Sequence, residues 1–254
     1  MTKLEAKNIV KHFSHESHKL TALGGINLKV EAGDFVCLVG PSGCGKSTFL
    51  RIIAGLEKPD GGQIMFDGHP VTETSPERIM VFQEGALFPW LKVQDNVEFG
   101  LKMAGIPKEE RAKISNRYLD MMQLTKFANS YTYQLSTGMK QRVAIARALV
   151  MDPDVLLMDE PFASLDAQTR DLLLVEMQLI WEKTKKTILF VTHNVAEATV
   201  LGNKIAVFSN RPSIIKKEFE NNFPRPRVTE DESLLKLQQD ILAELRPEVK
   251  KSRE

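Results

Sequence analysis

A glycine-rich stretch near residue 40 carries the residue types that bind phosphate groups. It fits the pattern G-x-x-x-x-G-K-[ST], follows the apolar run FVCLV and opens the helix-like segment STFLRIIAGL. Its glycines would let backbone N–H groups wrap the phosphates of a nucleoside triphosphate. Lys46 would reach the β- and γ-phosphates, and Ser47 would bind Mg²⁺. The expected phosphate-binding residues are Gly40, Pro41, Ser42, Gly43, Cys44, Gly45, Lys46, Ser47 and Thr48.

A pair of acids follows a second apolar run, VLLM, and would complete this site. Asp159 is expected to hold Mg²⁺ through its coordination shell. Glu160 would lie on the other side of the strand end, within reach of an attacking water. A P-loop needs such a second metal contact, so the two motifs together predict phosphoryl transfer to water.

The stretch LSTGMKQRVAIARAL predicts a second anion site, much later in the chain. Ser136 is a favourable N-cap residue, and Gly138 and a run of strong helix formers follow it. Such a helix start leaves backbone N–H groups free and points the positive end of the helix dipole outward. One chain therefore carries two candidate phosphate sites.

The elements around these motifs predict an α/β fold. LEAKNIV and INLKV alternate as strands do, and residues from about 93 to 149 have mostly helical spacing. After them the apolar runs VLLMDE, TILFVTH and KIAVFS alternate with helical segments, which favours a parallel sheet covered on both faces. We expect a single domain over residues 1–254, with a helical subdomain at about 93–149. A polar C-terminal extension at about 210–254 ends in an amphipathic helix.

Composition excludes several classes of partner. The 34 basic and 33 acidic residues give a net charge of +1, so no basic field indicates nucleic acid. The two cysteines, Cys37 and Cys44, have no zinc-type neighbours and make no disulfide framework. No apolar run approaches the roughly 18–20 residues that span a bilayer. If the protein works at a membrane, another subunit must take it there.

The order of the motifs resembles the ATP-binding subunit of ATP-binding cassette (ABC) transporters. P-loop, LSTG helix start, MDEP, SLD and the histidine of VTHNVAEA follow one another as in that family, over about residues 4–209. The resemblance implies a mostly parallel core sheet with an N-terminal antiparallel β subdomain and a helical subdomain, and it implies ATP and Mg²⁺ as ligands. In that family two copies meet head to tail. Each ATP then lies between the P-loop of one copy and the signature helix of the other, which would explain two phosphate sites in one chain.

The resemblance also assigns roles to single residues. Gln83 matches the glutamine that senses Mg²⁺ and the attacking water, so it joins Ser47 and Asp159 at the metal. His193 matches the switch histidine that contacts the γ-phosphate, and Phe13 stands where the family places an aromatic on adenine. The expected catalytic residues are Glu160, His193, Gln83 and Lys46. The residues expected to reach the other copy's nucleotide or its surroundings are Ser136, Gly138 and Asp166.

The signature departs from the family's usual LSGGQ. Here it is LSTGM, with Thr137 in place of a glycine and Met139 in place of a glutamine. A β-branched residue at positive φ costs roughly 1–3 kcal/mol, so we expect a negative φ at Thr137 and a close approach at Gly138. Met139 has no amide to donate, which predicts a weaker contact with the partner's nucleotide.

Three stretches resemble importers for nitrate, sulfonates, taurine and similar small anions: GMKQR, ALFPWLKVQDNVEFGL and PRPR. That resemblance implies permease subunits that span the membrane, an extracytoplasmic solute-binding protein, and a peripheral position on the cytoplasmic face of the cell membrane. Residues 87–99 would form a groove for a permease helix, with Phe88, Pro89 and Trp90 as exposed apolar candidates. Packing within the subdomain is the alternative for Trp90.

Two other functions fit parts of the sequence. A soluble ABC-type ATPase acting on ribosomes or DNA would share every motif. Such relatives usually carry two cassettes or a long coiled-coil insertion, and this chain has neither. A small-molecule kinase would share the P-loop, and phosphoryl transfer to an acceptor other than water would support it. The leading interpretation is the ATPase subunit of an importer for a small solute, without a nucleic-acid partner.

Overall fold

Two long strands open the chain and pair in an antiparallel sheet. The computed structural model describes residues 1–15 and 18–251. In spatial order this N-terminal sheet consists of β2 (His18–Glu31), β1 (Thr2–His15), β4 (Gly61–Phe66) and β5 (His69–Pro70). Leu4 and Ala6 of β1 are buried, in agreement with the alternation of LEAKNIV. A register shift between Ala6 and Ile9, where Asn8 has a φ of 50°, then places Ile9 among the buried residues. The predicted antiparallel N-terminal part of the fold is confirmed.

The core sheet is mostly parallel, as the alternation of strands and helices predicts. In spatial order it consists of β10 (Ile215–Glu220), β9 (Lys204–Phe208), β3 (Phe35–Val39), β8 (Thr187–Thr192), β7 (Val155–Asp159) and β6 (Arg78–Val81). Neighbouring strands run parallel throughout the series β9, β3, β8, β7 and β6, and β10 pairs antiparallel with β9 at the edge. Every residue of β3, β7 and β8 is buried, because helices or the other sheet cover both faces.

Seven α-helices connect and cover these strands in the described residues. They are α1 (Lys46–Ile53), α2 (Val93–Met103), α3 (Lys108–Met121), α4 (Thr137–Leu149), α5 (Ala167–Thr184), α6 (Val195–Leu201) and α7 (Glu232–Lys251). The side chains of Ser136, Asp166 and Asn194 cap α4, α5 and α6 by accepting backbone N–H groups. Across residues 1–15 and 18–251, no helix combines the length and the apolar character needed to cross a bilayer.

The core sheet separates two hydrophobic cores. Phe35, Cys37 and Val39 of β3 belong to one core, together with apolar side chains of α2 to α7. Val36 and Leu38 belong to the other, where α1 and the N-terminal sheet pack. This alternation follows from the two-residue period of a strand. The helix that starts at the P-loop and the helix that starts at the signature therefore pack on opposite faces of the core sheet.

Two arginines of the PRPR segment fix the C-terminal end of α6. Arg227 is buried and donates to the carbonyl oxygens of Gly202 at 2.8 Å and Phe223 at 2.7 Å. Arg225 donates to the carbonyl oxygen of Leu201, and burial together with the charge of Arg227 lowers its pKa to about 10. Cations at a helix C-terminus satisfy its free carbonyls and interact favourably with the helix dipole. The segment thus secures the helix that follows β8.

Candidate nucleotide site

The P-loop curls around its own lysine. Gly43 and Gly45 have φ values of 72° and 112°, in the left-handed region that favours glycine. Lys46 is only 4% exposed, and its ammonium group donates to the carbonyl oxygens of Gly40 at 2.8 Å and Pro41 at 2.9 Å. No side chain caps α1 at Gly45, so the first N–H groups of the helix can serve an anion. The loop therefore fits the phosphates of a nucleotide.

A hydroxyl and a carboxylate meet beside the loop at the predicted metal position. Ser47 Oγ donates to Asp159 Oδ1 at 2.7 Å. Burial raises the pKa of Asp159, although the hydrogen bond from Ser47 opposes this change. No cluster of three or more His, Cys, Asp or Glu side chains arranged to hold a metal occurs in the described part of the chain. Mg²⁺ is commonly held by one or two protein oxygens together with substrate phosphates, so this pair fits it.

The second acid pairs with the predicted switch histidine. Strands β7 and β8 are parallel neighbours, so their carboxyl ends place Glu160 and His193 together. Glu160 Oε2 lies 2.9 Å from His193 Nδ1, and the N–H of Glu160 donates to the carbonyl oxygen of Val191 at 3.0 Å. Glu160 has a φ of 44°, a strained value for a residue with a side chain. The His193 side chain is 59% exposed, so the pair is open to water.

Two predicted residues do not contact these groups. Gln83 is exposed after β6, and its side chain makes no hydrogen bond within the part of the chain that the structure describes. Phe13 is 40% exposed on β1, with the Lys11 ammonium group 5.7 Å from its ring centroid. Lys11 pairs in register with Leu23, which packs closely against Gly45. Phe13 is therefore two residues along the strand from a position beside the P-loop.

The signature stretch is a capped helix start that faces solvent. Ser136 is exposed, and its Oγ accepts the N–H of Met139 at 3.3 Å. Thr137 is the first residue of α4 and does not have a positive φ, which confirms the negative φ expected from the sequence. The side chain of Met139 packs against the hydrophobic core that contains Phe35 and Cys37 of β3.

Two neighbouring helix starts touch at Gly138. A Cβ atom at Gly138 would lie 2.5 Å from Thr169 Cγ2, so a side chain there would displace the Thr169 side chain. Asp166 caps α5 by accepting the N–H of Thr169 at 2.9 Å, and that hydrogen bond lowers the pKa of Asp166. The structure thus brings Ser136, Gly138 and Asp166 to one surface. None of the three makes a hydrogen bond to the P-loop in the described residues.

An arginine that the sequence did not single out ties α4 to the segment after Gln83. Arg147 donates to the carbonyl oxygens of Gly85 at 2.7 Å and Ala86 at 2.9 Å. Its guanidinium carbon lies 5.4 Å from the centroid of the Phe88 ring, and burial lowers its pKa. In the sequence this residue looks like one more helix former. The loop carbonyls that it binds are distant in sequence, so no local pattern could reveal the contact.

The C-terminal helix borders the P-loop, which the sequence also did not predict. A cleft of about 480 Å³ separates them; it is lined by Gly40, Pro41, Ser42, His193 and Val195, and from α7 by Leu242, Leu245, Arg246, Val249 and Lys250. The amphipathic pattern of α7 predicts that one side of the helix packs on the protein. It carries no information on which part of the surface receives it.

Comparison with known proteins decides the family. Residues 23–163 match the family described as ABC transporter. The chain belongs to the ABC transporter family. It is 47% identical to an uncharacterized ABC transporter ATP-binding protein, MJ0412, of Methanocaldococcus jannaschii, over 98% of this chain and 94% of that protein. It is 44% identical to the nitrate import ATP-binding protein NrtD of Synechocystis sp., over 93% of this chain and 89% of that protein.

Further relatives agree with this assignment. The chain is 44% identical to the aliphatic sulfonates import ATP-binding protein SsuB of Bacillus cereus, with 92% of each chain covered. Among solved structures, this ABC cassette resembles the dimeric cassette of MJ0796, with a TM-score of 0.78 and 33% identity over 87% of this chain and all of that one. It also resembles the post-hydrolysis state of MJ0796 bound to ADP and Pi, with a TM-score of 0.76 and 32% identity. The chain is an ATP-binding subunit of the ABC type and an ATPase.

Proposed function

We propose that this ABC cassette hydrolyses ATP at the P-loop to drive uptake of a small anion. One observation supports the hydrolytic chemistry most strongly. The Glu160–His193 pair, at 2.9 Å, stands directly beside the Ser47–Asp159 pair, at 2.7 Å, because Asp159 and Glu160 are consecutive at the end of β7. A partly exposed carboxylate thus adjoins two oxygens suited to Mg²⁺.

In the proposed reaction Glu160 orients an attacking water and accepts its proton. His193 holds the Glu160 carboxylate through Nδ1 and faces the γ-phosphate. Lys46 exchanges its loop carbonyls for phosphate oxygens and stabilises the charge that develops on them, together with the N-terminus of α1. Gln83, whose side chain has no hydrogen-bond partner among the described residues, would approach the water and the metal.

The ligands of the site are proposed from the same geometry. Ser47, Asp159 and Gln83 would together bind Mg²⁺. When bound, the metal supplies positive charge that neutralises the β- and γ-phosphates. Phe13 would stack on the adenine ring at the open end of β1. Gly40 to Thr48 would surround the phosphates.

We further propose that two copies share each ATP. Ser136 and Gly138 start a helix on the opposite face of the core sheet from α1, so one chain cannot readily bring them to its own P-loop. A second copy, turned head to tail, can present this start and its neighbour Asp166 to the γ-phosphate. The description of MJ0796 as a dimeric cassette supports this arrangement. Loss of the γ-phosphate would then remove a bridge and reopen the dimer.

The transporter around the cassette is inferred from its surface and its relatives. Residues 1–254 would act as one ATPase unit, with a helical subdomain at 93–149 and a C-terminal extension at 210–254. Phe88 packs against Trp90 and Phe99, with ring centroids 5.5 and 4.5 Å away, and Trp90 remains 70% exposed. This aromatic surface suits a helix of a permease subunit on the cytoplasmic face of the cell membrane. The names of the nitrate and sulfonate relatives support a small anion as cargo, captured outside by a solute-binding protein.

Co-purification tests this assignment. A tagged Glu160→Gln variant would be recovered with ATP from detergent-solubilised membranes of the native host, and its partners identified by mass spectrometry. We expect a multi-span membrane protein in equal amount, and expect its recovery to fall when Trp90 is also changed to Ser. Recovery of ribosomal or DNA-binding proteins without a membrane subunit would contradict the transporter assignment.

A further inference from the structure

A chain of polar contacts links the start of α5 to the end of β8, directly before His193. Arg170, on the first turn of α5, donates to the carbonyl oxygen of Leu165 at 2.7 Å. Its Nε lies 3.3 Å from Glu197 Oε1 on α6. The other carboxylate oxygen, Glu197 Oε2, accepts the hydroxyl of Thr192 at 2.6 Å. Three elements that are far apart in sequence therefore meet at one buried carboxylate.

These contacts hold the backbone on both sides of His193. The Thr192 hydroxyl donates to Glu197 and also accepts the N–H of Asn194 at 3.0 Å. Thr192 and Glu197 are 2% and 4% exposed, so water competes little with these hydrogen bonds. The direction of the His193 side chain toward Glu160 depends on this backbone, because its rotamer is set relative to it.

The ion pair itself is not fully formed. Arg170 Nε is buried and makes no hydrogen bond within residues 1–15 and 18–251, although it lies within ion-pair distance of Glu197. A buried N–H group without an acceptor carries a desolvation cost that alignment with the carboxylate would remove. Because Arg170 also donates to the carbonyl oxygen of Leu165, a shift of residues 162–166 would act on the position of its guanidinium group relative to Glu197.

We propose that Arg170 and Glu197 are positioning residues for ATP hydrolysis. They join the segment 162–166, which ends at the α5 cap Asp166, to the backbone that aims His193 at Glu160. The inference rests on the proposed function, since there Asp166 faces the second copy. Arrival of that copy would move the segment, align the ion pair and fix His193, so hydrolysis would follow dimer closure. Neither residue belongs to the set that we propose to bind the nucleotide.

Paired glutamate variants test this link. Glu197→Gln keeps an acceptor for Thr192 but removes the charge that faces Arg170. The matched control is Glu176→Gln, because Glu176 is also partly buried on α5 and pairs with Arg142 at 2.9 Å. We expect Glu197→Gln to lower kcat about tenfold with KM for ATP changed less than about twofold, and Glu176→Gln to change neither. Melting temperatures of the two variants would show whether any difference is merely one of stability.

A second readout does not depend on turnover. The ring signals of His193, assigned with a His193→Gln variant, would be followed by NMR in the nucleotide-free protein. We expect them to shift in Glu197→Gln and to stay in place in Glu176→Gln. Arg170→Lys keeps the positive charge and should therefore retain more of kcat than Arg170→Gln. This second pair of variants tests the Arg170–Glu197 contact if Glu197→Gln does not fold.

The outcomes separate this inference from the proposed function. If the wild-type protein hydrolyses ATP and Glu197→Gln matches Glu176→Gln in kcat and in the His193 signals, the positioning role is wrong while the proposed function stands. If the wild-type protein with Mg²⁺ and ATP shows no turnover that Glu160→Gln abolishes, the proposed function fails. In that case the NMR comparison alone still decides whether Glu197 positions His193.

Discussion

The two helix starts that we propose to bind phosphate differ in what already surrounds them. At α1 the lysine is buried and bonded to two carbonyls of its own loop. At α4 the exposed Ser136 accepts the N–H groups of Met139 and Lys140, both in its own helix. The two helices pack in cores on opposite faces of the core sheet. We propose that the first start is an enclosed site that binds a nucleotide alone, whereas the second is an open site that acts on the nucleotide of another copy.

The largest expected effect lies at the enclosed site. Glu160→Gln removes the proton acceptor but keeps a group that can bond to His193, so kcat should fall by roughly 10²–10⁴ while ATP affinity is retained. Turnover of γ-labelled ATP and equilibrium binding measure the two quantities. The exposed α5 carboxylate variant Glu182→Gln serves as the control. Near-normal turnover in Glu160→Gln would remove Glu160 as the catalytic base.

The packing of α6, which lies on the same face of the core sheet as α4, can be weakened without substituting any residue of the proposed phosphate sites. Arg227→Met removes the side-chain donors to the carbonyl oxygens of Asn221 and Phe223 and one of the two side-chain donors to that of Gly202, so the free energy of unfolding should fall by about 3 kcal/mol. Denaturant titration measures this loss, with the exposed Arg117→Met as the control. Equal stability of the two variants would show that Arg227 is not what holds α6.

A pair of substitutions separates the roles of the two helix starts. Lys46→Ala removes a charged contact to phosphate, so ATP binding by an isolated copy should weaken about 10- to 100-fold. Ser136→Ala should leave that binding unchanged yet lower turnover, because in the proposed dimer its hydroxyl acts on the other copy's nucleotide. Fluorescent-nucleotide binding at low protein concentration and turnover at high concentration give the two readouts. Equal loss of binding in both variants would mean that one chain uses both starts on the same ATP.

The smallest effect is expected at the unusual signature residue. The sequence predicts a weak nucleotide contact at Met139, but the side chain packs on the core and only its backbone serves the helix start. Met139→Gln should therefore change turnover less than about threefold, since it alters packing at a partly buried site. A steady-state assay checks this, with Met103→Gln, at an exposed methionine, as the control. A large gain of activity would restore the prediction made from the sequence.

The sequence predicts the enclosed site better than the open one, for a physical reason. The P-loop residues are contiguous, and the strand and helix that position them are local patterns. The acids at the end of β7 follow a buried run, so their place at the sheet edge could also be expected. Gln83 and Phe13 are assigned to the site only from the family resemblance. Each lies on an exposed segment whose sequence has no local pattern that indicates a ligand.

Features that depend on distant contacts could not be predicted. The edge strand β10 reads IKKEFE, too polar to stand out, because one side of it faces solvent. Arg147, Arg170 and Arg227 look like surface residues in the sequence, yet each bonds to carbonyl oxygens far along the chain or at a helix end. Their roles follow from the packing of helices on the core sheet, which periodicity does not specify.

One mixing experiment tests the division of labour between the two helix starts most directly. Lys46→Ala inactivates the enclosed site, and Ser136→Glu inactivates the open one by placing a negative charge where phosphate would bind. A glutamate at a helix N-terminus also preserves the favourable interaction with the dipole, so that variant should fold. Each variant alone should be nearly inactive.

If each ATP lies between two copies, an equimolar mixture regains activity, because mixed dimers contain one site with both starts intact. With random pairing, about a quarter of all sites would then be complete. Turnover by the mixture that rises with protein concentration toward that fraction is the result we predict. Turnover that stays at the sum of the two separate variants at every concentration would contradict the account.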